Sequence, residues 1–167
     1  MEENNVLDIL KQAILLERRG KAFYQKVAEQ AENSAVRDFF ETMAAEEQKH
    51  MQLLSNQYKA YRQQQKFIPG DYDENDTSQV ASKVLTQEVQ AKIAAAGFEA
   101  AAIAAAISME ERAVKLYSEN AETSADPEAK ALYAWLARWE REHLSFLLNI
   151  DKALREKIWF DNKFWPF

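Results

Sequence analysis

Apolar and small residues recur along the chain at alternating steps of four and three. The first series runs Val6, Leu10, Ala13, Tyr24 and Val27, with Glu17 and Gly20 filling the intervening places on the same stripe. That spacing marks one face of a helix, because about 3.6 residues complete a turn. After a break near residues 33–34 comes a second series: Val36, Phe40, Met43, Glu47, His50, Leu54, Gln57 and Tyr61. It stops before FIPGDYDENDTS, whose Pro-Gly pair and acidic cluster predict a loop. Ala81, Val84, Leu85, Glu88, Val89 and Lys92 fit an amphipathic helical crossover that Gly97 breaks. A third series, Ile103, Ala106, Glu110, Ala113 and Tyr117, ends near residues 124–125. Asp126 and Pro127 then predict a helix start, with Asp as cap and Pro at the first helical position. The fourth series is Ala129, Tyr133, Leu136, Glu140, His143, Leu147, Ile150 and Leu154.

The two halves repeat each other at a constant offset of 93 residues, without gaps. Glu17 pairs with Glu110, Tyr24 with Tyr117, Glu47 with Glu140, His50 with His143, and Leu54 with Leu147. The repeated unit is a pair of helices, so the predicted fold is all-α: a four-helix bundle of two αα-hairpins. A long crossover over 66–97 joins helices 2 and 3, within a bundle over 1–157. An aromatic tail over 158–167 follows, carrying Trp159, Phe160, Phe164, Trp165 and Phe167. Such a tail is expected to pack on its own bundle or against a second copy, and a homodimer is the preferred expectation.

Composition supports this reading. Only three Gly and three Pro occur in 167 residues, which leaves few turns and long elements. Hydrophobic residues make up 47% of the chain, enough to build a core rather than a disordered coil. The net charge of −6 opposes non-specific nucleic-acid binding and docking on an anionic membrane. No apolar run is long enough for a membrane span, and the acidic N-terminus lacks a signal-peptide pattern. A cytoplasmic location is the default expectation. The absence of Cys excludes disulfides, thiolate zinc sites and iron–sulfur centres.

One level of each apolar stripe is polar. Helix 1 carries Glu17, helix 2 Glu47 and His50, helix 3 Glu110, and helix 4 Glu140 and His143. Glu17 lies ~25 Å before the first turn and Glu47 ~20 Å after it, at the helical rise of about 1.5 Å per residue. An antiparallel hairpin therefore brings them to nearly one height, and the same holds for Glu110 and Glu140. Burying four carboxylates together costs several kcal/mol per ion unless cations compensate them. With neutral imidazoles, two divalent cations match the formal charge of the set. Glu and His at i and i+3 share a helical face, so both can reach one ion. Mixed carboxylate and imidazole donors suit iron or manganese. Tyr24 and Tyr117 follow on the same stripes, as core tyrosines or as hydrogen-bond donors to the ligand carboxylates. Glu46, Glu111 and Glu142 fall off the stripe and are expected to be solvated.

The segments AILLERRGKAFY and AAEEQKHMQLL, echoed by AISMEERAVKLY and ARWEREHLSFL, resemble the rubrerythrin branch of the ferritin-like di-iron superfamily. The resemblance implies a pair of iron ions, with manganese as the alternative. It implies that Glu47 and Glu140 bridge the pair, that Glu17 and Glu110 are terminal ligands, and that His50 and His143 each hold one ion. It further implies an oxidoreductase reacting with hydrogen peroxide or dioxygen, with these six residues as its catalytic set. Two departures stand out. Without Cys there is no rubredoxin-like relay, so a separate electron-donor protein is expected. Gly20 and Ala113 stand three residues after Glu17 and Glu110, whereas relatives commonly carry a further Glu one turn after the third-helix ligand. Ferroxidase chemistry in iron handling therefore stays open, as does a helical interaction protein with a vestigial site.

Overall fold

A computed structural model describes residues 3–72, 93 and 97–161; side chains before residue 5 and after residue 157 are left out of the description. Four helices make up the described chain: α1 (Glu3–Gln30), α2 (Ser34–Gln64), α3 (Phe98–Thr123) and α4 (Pro127–Asp161). Among the described residues there are no strands. α1 packs along α2 and α3 along α4, and α1 also meets α3 across the bundle. The all-α bundle of two hairpins expected from the sequence is the observed fold. Most of the predicted crossover (73–92 and 94–96) lies outside the described residues. So does the aromatic tail, apart from helical backbone through Asp161.

The helix boundaries follow from local chemistry. The Asn33 side chain caps α2, accepting from the backbone N–H of Ala35 at 3.0 Å and of Val36 at 3.3 Å. Arg37 closes the preceding turn by donating to the Ala31 carbonyl. Gln65 ends α2 in the left-handed region, at φ 54°, with its N–H on the Tyr61 carbonyl. The Gln57 side chain then pins the departing loop: its amide donates to Ile68 O and accepts from Ile68 N. Asp126 caps α4 as predicted, accepting from Glu128 N at 2.8 Å and Ala129 N at 3.2 Å.

The apolar core is divided in two. One cluster fills the α1–α2 turn end with Val27, Phe39, Phe40, Met43, Ile103, Leu147 and Ile150. The other fills the opposite end with Leu10, Leu54, Leu132, Tyr133, Leu136 and the Trp135–Trp139 pair. Between them lies a layer of buried polar side chains.

A buried carboxylate and imidazole layer as candidate metal centre

Glu17, Glu47, His50, Glu110, Glu140 and His143 are all buried, and both imidazoles are fully so. Each sits where its helix face turns inward, and the antiparallel hairpins set them at one level. Glu17, Glu47, His50 and Glu140 each offer one ligand atom, and these atoms all lie within 4.8 Å of one another. Glu47, Glu110, Glu140 and His143 do the same. The two quartets overlap in Glu47 and Glu140. All six residues selected from the sequence are thus gathered in one layer, with two carboxylates common to both halves.

The tyrosines are hydrogen-bond donors to the cage as well as core residues. Tyr24 on α1 donates to Glu110 on α3, and Tyr117 on α3 donates to Glu17 on α1. The hydroxyls therefore cross between the hairpins. Gly20 is also placed by the cage: a Cβ there would stand 3.2 Å from the Glu47 carboxyl carbon.

Both imidazoles turn Nδ1 toward the carboxylates. His50 Nδ1 lies 2.9 Å from Glu140 Oε1 and 3.3 Å from Glu17 Oε2. His143 Nδ1 lies 3.4 Å from Glu140 Oε2, 3.7 Å from Glu47 Oε1 and 3.9 Å from Glu110 Oε1. His50 Nδ1 and Glu17 Oε2 are hydrogen-bonded. Both Glu140 oxygens and His143 Nδ1 are buried without a hydrogen-bond partner among the described residues. Native cores rarely leave such groups unmatched. Four carboxylates and two inward-facing imidazole nitrogens, with both Glu140 oxygens and His143 Nδ1 unmatched, make a donor set that fits divalent cations.

The titration behaviour has the same origin. Burial, then the Glu140 charge, pushes Glu47 and Glu110 well above the usual carboxylate range. Burial works against charge on Glu140 too, but the two imidazoles facing it hold it well below that range. Burial alone would lower His50, yet Glu140 and Glu17 raise it to about 9. His143 is raised by Glu140 and Glu46 in the same way. Without cations, the cage holds protons in their place.

Glu46 corrects a sequence expectation. It is buried, and its Oε2 lies 2.6 Å from His143 Nε2. It was expected in solvent because it leaves the central stripe of α2, but it faces α4 rather than water. Its spacing four residues before His50 is the signal that could have placed it near the site. Glu111 is exposed as expected, and Glu142 is partly buried. Sequence reasoning also missed Trp135 and Trp139. Their rings stand edge-on to His50, with centroids 5.7 and 5.2 Å away.

A pocket of ≈ 120 Å³ reaches the cage between α1 and α3, lined among others by Glu17, Gly20, Glu47, Glu110, Ala113 and Glu140. Exposed Arg19 and Arg112 flank it.

Comparison with curated proteins and with solved structures returned no match. The sequence model of the Rubrerythrin family matches residues 8–151, from the first turns of α1 into the last turns of α4. With all six buried carboxylate and imidazole residues inside that match, the chain belongs to the rubrerythrin family.

Proposed function

We propose that the protein is a di-iron oxidoreductase that reduces hydrogen peroxide or dioxygen. The observation that carries this reading is the pair of overlapping ligand quartets sharing Glu47 and Glu140. Glu17, Glu47, His50 and Glu140 would hold one ion, and Glu47, Glu110, Glu140 and His143 the other. A bound iron pair supplies the two electrons that cleave an O–O bond. The chain's own residues do the rest. The carboxylates hold the ions against mutual repulsion, and Tyr24 and Tyr117 fix the carboxylates' orientation. Gly20 and the small side chain of Ala113 leave a way in from solvent. The two flanking clusters exclude bulk water along the rest of the bundle. With no Cys in the chain, electrons come from a separate donor protein.

Two measurements test this. Elemental analysis of protein purified without added metal should find about two irons per chain, lost in the Glu47→Ala/Glu140→Ala variant. Manganese in their place would redirect the chemistry, and no metal after anaerobic loading with ferrous iron would defeat the reading. Stopped-flow mixing of the reduced protein with peroxide should give faster re-oxidation than in Glu47→Ala; equal rates would defeat the redox role.

A second reading, oxidation of ferrous iron for storage or transfer, is favoured by the same pocket. Gly20 and Ala113 leave open the place where a further ligating side chain could close the cage. This reading predicts turnover of many ferrous ions per subunit in oxygen-uptake measurements.

A further inference from the structure

The six carboxylate and imidazole positions and the two tyrosines of the cage correspond under the 93-residue repeat, but the residues around them do not all do so. Glu17 matches Glu110, Glu47 matches Glu140, His50 matches His143, and the crossed tyrosines match each other. Glu46, however, matches Trp139. The consequence falls on the outer nitrogens of the two imidazoles. His143 Nε2 meets Glu46 Oε2 at 2.6 Å. His50 Nε2 is buried and has no hydrogen-bond partner among the described residues. The rings of Trp135 and Trp139 pack against this imidazole, with their planes at 80° and 82° to it.

We propose that the two metal positions are unequal, with the His143 position filled first and the His50 position weaker and more readily exchanged. This rests on the reading of the layer as a two-ion site. When Nδ1 binds a cation, the proton sits on Nε2. At His143 that proton is given to a carboxylate, which fixes the ring, makes Nδ1 a better donor and adds negative charge near the ion. At His50 the same proton has no acceptor among the described residues, and a buried donor left without one weakens the ring's hold on a cation. Removing a partner of this kind typically costs about 10–100-fold in metal affinity. Repulsion between neighbouring ions weakens the second binding step in any two-ion site.

The chain has only two His, so the order can be read directly. The full-length protein is labelled with 15N-histidine, stripped of metal and titrated with Zn²⁺ while imidazole resonances are followed by NMR. Assignment comes from a His50→Gln variant. The expected result is that His143 signals shift to completion within the first equivalent and His50 signals follow. In Glu46→Gln, which is nearly isosteric, the preference should fall about tenfold or more, so that both imidazoles shift together. Circular dichroism on each variant checks that the helices persist. His50 filling first, both filling together in the native chain, or an unchanged order in Glu46→Gln would overturn the inference while leaving the two-ion reading intact. No shift of either imidazole would overturn both.

Discussion

At the scale of single residues, the cage depends on groups that neutralise or satisfy four buried carboxylates. The Tyr24 hydroxyl donates to Glu110, and the Tyr117 hydroxyl to Glu17. Replacing either by Phe removes a donor and leaves a buried acceptor short. Each of Tyr24→Phe and Tyr117→Phe should cost about 1–3 kcal/mol in urea unfolding of the metal-free protein; unchanged midpoints would show that the hydroxyls contribute only packing. The histidines set a pH dependence. His50 rises from 6.5 to about 9, so the metal-free folded state keeps a proton that the unfolded state loses. Its contribution to stability is complete below pH 6.5 and is lost as pH climbs through about 9. Glu47 and Glu110, also raised, act in the same sense at lower pH. Urea midpoints of the stripped protein should fall across that interval, whereas metal-loaded protein should hold because a cation replaces the proton. A rising midpoint in the stripped protein would contradict this. The six buried carboxylate and imidazole residues were legible in the sequence because a polar residue on an apolar stripe conflicts with burial. Glu46 was not, because it lies at the stripe's edge, where the approach of α4 decides between solvent and core.

At the scale of elements, the helices could be read from periodicity and their ends from caps. Asn33 lies at the predicted break and proves to be the cap of α2, and Asp126 takes its predicted role before Pro127. Asn33→Ala should cost about 0.5–2 kcal/mol, readable in thermal or urea unfolding. The left-handed end of α2 at Gln65 was not readable, since that conformation usually calls for Gly or Asn. Gly20 separates stability from function within one helix. Ala at this position should favour α1 by about 0.5–1 kcal/mol through backbone entropy. The added Cβ, at 3.2 Å from the Glu47 carboxyl carbon, crowds a carboxylate common to both quartets. Gly20→Ala should therefore melt no lower than the native chain yet bind metal about tenfold more weakly by equilibrium dialysis. Higher affinity in this variant would show that Glu47 has freedom the packing does not suggest.

At the scale of the whole molecule, the bundle is two apolar cores held apart by a polar layer. The repeat and the common level of the polar residues made that layer foreseeable; the division of the remaining side chains into two clusters needed the structure. A cation that binds only the folded chain adds stability by mass action. Free metal at about 100 times the dissociation constant should add ~2.7 kcal/mol per site, and a chelator should reverse it. A melting temperature indifferent to both would show that the cage does not couple to folding. The crossing of the tyrosines bears on the history of such a chain. The two hairpins repeat the same cage positions, yet Tyr117 serves a carboxylate of the first hairpin and Tyr24 one of the second. Neither copy can drift alone: a substitution in one is selected through chemistry seated in the other. Separately made halves would each present an unsatisfied carboxylate and a stranded hydroxyl that only the opposite half can answer, so the pairing of the halves is itself encoded in the site.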